Sequence, residues 1–422
     1  MSDCGHGRSI VLSLVRLEFG RRLPASGLPA VVKLLLASMV LFNIGFYLVV
    51  PYLAVHMSEN LGFGAAMVGL VLGLRTFSQQ GMFFIGGSIG DRLGRRPVIL
   101  WGIAVRIIGF AILAVADNTA AVVLGVLSIG FAAALFAPAV ESANADFGRE
   151  LERDGVIRRT ELFGWEQMAS RLGTVIGPAL GAVLLVFPFA VSAAAAAALF
   201  AGLWVCFYFL FPARDATSRP VPLGVVWATV ITNRTFMKFA ALCSIQFVAI
   251  AQLYLMLPEQ LDRTVGSQSA LGWFYVGAAV LVIVGQRPMV RVADRLGRRV
   301  AIIGGMALMS ASFVIPAVPV GTSYLALAGW VAVLYLGQML MVPTMRDTLA
   351  VIADEQHLGA HFGMLSTIGG ILALAGTVGI GYLFDHAATA VPWLAAAAVT
   401  AVVTLLTWWW SRSIDFWWPL PR

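Results

Sequence analysis

Arg75, Arg106, Arg171 and Arg287, with Glu141 and Glu166, fall inside apolar runs of a chain that otherwise avoids charge, and Asp347 stands just past the end of another. A charge at the centre of a bilayer helix costs at least ~2.5–3.5 kcal/mol, so such residues face a partner or a cavity. Arginines there can attract or repel a charged solute, and acids can carry a proton when burial and neighbours tune them. Glu141, Glu166 and Asp347 are therefore proton-carrier candidates, and each fits an interfacial ion pair equally well. Arg75 and Arg171 lie about 14 Å into their runs at 1.5 Å per residue, and Arg75 shares a helix face with Gln79 at i+4. Either they border a cavity and set its charge, or they tie helices together. Arg106 fits a structural pairing, and Arg287 can snorkel. Asn43 and Tyr47 in one run, and Gln246 and Tyr254 in another, add amide and phenol groups. Such groups orient an amphipathic ligand in a mostly apolar cavity, or simply hydrogen-bond between helices.

Other chemistry is missing from the pattern. There is no Gly-x-x-x-x-Gly-Lys-Ser/Thr phosphate loop. The 3 cysteines and 5 histidines lack ligand spacing, so no metal, cofactor or disulfide is expected, and nothing indicates an enzyme.

The elements that must hold these residues are membrane helices. The 422 residues are 60% hydrophobic and 12% charged, with a mean hydropathy of +0.88. A soluble domain carries about 25% charged residues. Runs of ~20 apolar residues span a bilayer, and with no strand alternation the spans must be helical. Twelve are expected, over 32–55, 66–90, 97–116, 120–142, 161–186, 189–211, 236–258, 270–292, 300–317, 322–345, 361–384 and 390–411. Of 28 Lys and Arg residues, four lie deeper inside spans and Lys33, Lys238 and Arg291 at their cytoplasmic ends, and of the rest only Arg263 falls on the outer side. That bias places both termini in the cytoplasm, and it makes the net charge of +7 a matter of topology rather than of nucleic-acid binding.

The polar segment Pro212–Pro220 splits the spans six and six. The expected organisation is a cytoplasmic N-terminal segment 1–31, a six-helix bundle 32–211, a cytoplasmic loop 212–235, a second bundle 236–411 and a tail 412–422. One charged string supports a duplication. Asp91-Arg92-Leu93-Gly94-Arg95-Arg96 returns as Asp294-Arg295-Leu296-Gly297-Arg298-Arg299, each time between the second and third span of its half. Two six-helix halves related by an axis along the membrane normal hold a substrate between them near the midplane. The fold class is thus an all-α membrane protein of twelve transmembrane helices in two pseudo-symmetric halves.

Gly87-Ser88-Ile89-Gly90-Asp91-Arg92-Leu93-Gly94-Arg95-Arg96-Pro97 resembles the loop 2–3 signature of the major facilitator superfamily. Gly173-Thr174-Val175-Ile176-Gly177-Pro178-Ala179-Leu180-Gly181-Ala182 resembles the antiporter motif of its twelve-span drug:proton exporters, with Ala182 in place of the last glycine. Residues 67–80 are similar to span 2 of exporters in that group. The arginine many of them carry in span 4 falls at Leu127, so its proton-relay role is not transferred.

The resemblance implies a conformational latch of Gly87, Asp91, Arg92, Gly94, Arg95, Arg96 and Glu141, echoed by Asp294, Arg295 and Arg298. Asp91 would sit at the start of span 11, and the arginines would bind Glu141 or Asp146. It implies a substrate cavity bordered by Asn43, Tyr47, Arg75, Gln79, Arg171, Gln246 and Tyr254. Gly173, Gly177, Pro178 and Gly181 would form the antiporter motif. The implied activity is proton-coupled efflux of small lipophilic or cationic molecules by a monomer in membrane lipid, in a bacterial inner membrane. A dedicated metabolite, sugar, lipid or siderophore carrier is the alternative, and a non-transporting scaffold a more distant one.

Overall fold

The computed structural model describes residues 28–83, 93–157, 159–184, 186–212, 223–265, 270–317, 323–352 and 358–413. Gly87, Asp91 and Arg92 lie outside them. Among the described residues, fourteen α-helices follow in chain order: α1 Ala30–Val55, α2 Ala65–Thr76, α3 Arg95–Ala114, α4 Thr119–Arg153, α5 Arg159–Leu184, α6 Phe189–Leu210, α7 Leu223–Thr232, α8 Arg234–Cys243, α9 Ile245–Val265, α10 Leu271–Leu296, α11 Arg298–Ser312, α12 Tyr324–Ile352, α13 Leu358–His386 and α14 Ala390–Trp410. Wider π turns prolong α1 over His56–Asn60 and α2 over Phe77–Gly81. Among the described residues, nine helical stretches are long and apolar enough to cross a membrane. In lipid the helix is forced, because it satisfies every backbone donor and acceptor within its own segment.

Local chemistry sets several ends. The Asn118 side chain accepts the Ala121 amide at 3.0 Å to start α4, and Asn233 does the same for Phe236 at the start of α8, as N-caps do. The duplicated string explains its own glycine. Gly94 and Gly297, at matched positions, have φ of 83° and 77° and open α3 and α11; side chains disfavour that conformation.

Two differences from the expected spans have physical causes. The central loop holds α7, a short apolar helix that packs against α8 and α13. And α4 runs on to Arg153, well past residue 142. Its polar extension keeps good helix formers and is braced by Arg95 and Arg149, which both donate to Asp146.

The helices pack in two groups. In the first, α1 lies on α5 and α6, and α3 on α4 and α6; in the second, α11 lies on α12 and α14, α9 on α13 and α10 on α12. The first core is aromatic, with Phe42 stacked on Phe136 and edge-on to Phe200. The second centres on Trp330 and Trp393, edge to face at 4.7 Å.

Packing of α2 on α13 and of α5 on α10 joins the groups. The α2–α13 contact is backbone-close: a Cβ on Gly69 would lie 2.3 Å from the Thr377 carbonyl oxygen.

Candidate functional site

Arg75 is the centre of the site, and its place follows from the break in α2. Directly after it the helix widens into the π turn Phe77–Gly81, a distortion common at functional sites. Ser78 Oγ donates to the Arg75 carbonyl at 2.9 Å. The guanidinium Nη1 donates to Gln79 Oε1 at 2.9 Å and Nη2 to Thr76 Oγ1 at 3.1 Å. Only 5% of Arg75 is exposed. It lies over the ring of Phe46 at 5.2 Å and of Tyr254 at 5.9 Å, contacts that stabilise a desolvated cation.

Around it the two helix groups meet. Tyr47 of α1 faces Tyr254 of α9 and interacts electrostatically with both Arg75 and Arg171 of α5. Tyr254 stacks on Tyr275 of α10 at 5.7 Å. Tyr335 of α12 interacts with Tyr47 and Arg171. Arg171 remains exposed although its electrostatic neighbours Tyr47 and Tyr335 belong to α1 and α12.

The groups are tied together at one end. Asp385, in the last turn of α13, accepts from the Ala65 and Ala66 amides at the start of α2, each at 2.8 Å. Beside it, the Tyr52 hydroxyl donates to the Pro178 carbonyl at 2.9 Å, and Gly272 of α10 packs against Tyr52 and Ala182. At the opposite end Glu141 of α4 and Arg346 of α12 interact electrostatically, yet both are exposed. Glu166 there is 7% exposed and lies beside Glu141 and the buried amide of Asn144.

The remaining candidates sort by their contacts. Asn43 is occupied in tying α1 to α5, its Nδ2 donating to Ser170 Oγ at 3.1 Å. Gln246 is buried against Met345. Arg106 sits in a box of Phe42, Phe110 and Phe200 within the first group, and Arg287 is exposed. Gly173, Gly177 and Gly181 bring α5 onto α1: a Cβ at Gly173 would meet the Val40 carbonyl oxygen at 2.4 Å.

The two copies of the charged string make parallel contacts. Arg95 bonds Asp146 on α4 and Arg298 bonds Asp347 on α12. Arg96 donates to the Tyr208 carbonyl on α6, and Arg299 to Ser411 just past α14. Asp294 and Arg295 are exposed and make no side-chain bond among the described residues. No group of three or more metal-ligating side chains converges among the described residues.

Sequence reasoning missed Phe46, Tyr275, Tyr335, Asn144, Arg346 and Asp385. The phenols had a usable signal: the chain has 8 tyrosines, and a hydroxyl in mid-run is costly unless it finds a partner.

With this geometry in hand, the comparisons with known proteins agree. The family model described as Major Facilitator Superfamily matches residues 35–263 and 242–416. An MFS-type transporter of Mycobacterium tuberculosis (strain H37Rv) is 32% identical over 367 residues, covering 84% of this chain and 86% of that one. The multidrug resistance protein MdtH of Aeromonas hydrophila is 29% identical over 358 residues, covering 84% of this chain and 88% of that one. Among solved structures, a peptide transporter POT superposes with a TM-score of 0.74 at 16% identity, covering 91% of this chain and 94% of that one. The nucleoside transporter NupG does so with 0.73 at 15%, covering 90% and 99%. Helices of spanning length, a site where two helix groups meet and these relatives have one reading: the chain belongs to the Major Facilitator Superfamily and is a multi-pass membrane transporter, not an enzyme.

Proposed function

We propose that this transporter exports small drug-like or lipophilic molecules in exchange for protons, by alternating access between two six-helix halves. Adding α2, α5 and α11 to the nine apolar stretches makes twelve spans, and the parallel contacts of Arg95 to Asp146 and Arg298 to Asp347, and of Arg96 to Tyr208 and Arg299 to Ser411, support the duplication. The positive-inside bias puts both termini in the cytoplasm of a bacterial inner membrane. The relatives named for multidrug resistance support export.

One observation carries the reading. The Arg75–tyrosine cluster lies where the two helix groups meet, tied together at the Asp385 end, with Glu141 and Arg346 exposed at the other. Rocking the groups would exchange the open end. The string around Gly94 and Arg95, with Asp91, Arg92 and Glu141, is the latch for the outward state. For the proton, Glu166 with Glu141 suits best: two neighbouring carboxylates can hold and release a proton between them. Asp347 suits less, since Arg298 already holds it at 2.9 Å.

The test is transport by the full chain in proteoliposomes with an imposed pH gradient, using neutral, anionic and cationic fluorescent dyes. Gradient-driven movement lost in Glu166→Gln is the expected result. No movement of any dye under either gradient polarity would overturn export and leave a dedicated carrier.

A further inference from the structure

We infer that the central site takes organic anions: molecules with a carboxylate or similar planar acid on an aromatic or apolar body. The inference rests on the transport reading above and names the substrate class.

Charge balance carries it. Arg75 and Arg171 both face Tyr47, and among the described residues no carboxylate forms an ion pair with either. Arg75 has met part of its hydrogen-bonding capacity with Gln79 and Thr76, but its Nε is buried with no partner. Arg171 makes no hydrogen bond among the described residues and is exposed. The neighbours that act on it electrostatically are Tyr47, Tyr335 and a further cation, Arg346. The acid Glu166 interacts with Glu141, and Glu141 with Arg346, and neither acid is among the groups that act on Arg75 or Arg171. The middle of the site is therefore electropositive, in a medium that screens little.

The chemistry of the wall agrees. Guanidinium is planar and binds a carboxylate through two parallel hydrogen bonds. Phenol hydroxyls of Tyr47, Tyr254 and Tyr335 add neutral donors without adding negative charge. The rings of Phe46, Tyr254 and Tyr275 give the apolar body a surface. A cation placed there would face two uncompensated guanidiniums, so the same arrangement that holds an anion excludes a cation.

The test uses three molecules with one body: 2-naphthoate, its neutral amide and 2-naphthylmethyl-trimethylammonium. Binding to the purified full chain is followed by ligand-induced thermal stabilisation, and transport is followed in proteoliposomes. The expected order of affinity is anion, then amide, then cation. Arg171→Gln, at an exposed position, should weaken the anion about tenfold or more and leave the amide within about twofold, while Arg171→Lys should recover part of the loss. Equal or stronger binding of the cation, or an anion affinity unmoved by Arg171→Gln, overturns the inference. Anion-selective binding that depends on Arg171, with no transport of any of the three, upholds the site and overturns the export reading instead. Transport of the amide and the cation with no anion preference does the reverse.

Discussion

The carboxylate of Asp385 caps the first turn of α2 from another helix, its Oδ1 2.8 Å from the Ala65 amide although 320 residues separate the two. Oδ2 takes the Ala66 amide at the same distance. The first amides of a helix have no partner within it, and a negative charge there gains ~0.3–1 kcal/mol, more where partly buried. The bond joins α13 to α2 across the two groups, so it holds one end of the transporter shut.

Asp385→Ala should therefore loosen that end without unfolding the chain. Amide exchange over residues 65–70, read by mass spectrometry, should quicken about fivefold for ~1 kcal/mol lost. Unchanged exchange would show that the cap does not hold the seal.

The α2–α13 contact should be intolerant of a single methyl. Gly69→Ala puts a Cβ 2.3 Å from the Thr377 carbonyl oxygen, and overpacking of this kind costs ~1–3 kcal/mol. Gly277 has nothing within 4 Å, so Gly277→Ala should gain up to ~1 kcal/mol of helix propensity. Thermal unfolding in detergent should separate the two variants in opposite directions; a harmless Gly69→Ala would mean the helices part easily.

Proton coupling should fall on Glu166 rather than on Asp347. Glu166→Gln is expected to keep downhill movement while losing at least about tenfold of the gradient-driven accumulation. Asp347→Asn should keep most of that accumulation, because the carboxylate it changes already pairs with Arg298. Side-by-side counterflow and gradient-driven assays check this, and the opposite pattern would move the proton site to α12.

The two copies of the charged string should differ in strength. Asp146 is 20% exposed and receives both Arg95 and Arg149, whereas Asp347 is 62% exposed and receives Arg298. Exposed pairs contribute ~0–1 kcal/mol. A double-mutant cycle should give Arg95–Asp146 more than ~1 kcal/mol of coupling and Arg298–Asp347 less; equal couplings would contradict the ranking.

Much of this was legible before any coordinates. Hydropathy marks the helices because lipid offers no other partner for the backbone, and among the described residues nine of the expected spans are met by helices of spanning length. The repeated string was readable as a sign of duplication, and Gly94 and Gly297 within it take matched φ values. Arg75 and Gln79 were readable as neighbours because i and i+4 share a helix face. The extension of α4 and the short helix α7 were not: neither is apolar over a full span, so hydropathy has no signal there.

What the sequence determined by itself is what neighbours along the chain decide: where helices form, where they turn, and which charges are misplaced in lipid. The tertiary structure decided which of those charges meet. Asn43, read as either a cavity residue or an interhelical tie, bonds Ser170 of α5, while Tyr275 and Tyr335 join the Tyr254 and Arg171 cluster from distant helices. A lone phenol or carboxylate on an apolar helix carries no mark of its partner. The partner is chosen by which helices pack, and that depends on close approaches such as Gly69 against Thr377, which become a contact only when the whole bundle has assembled.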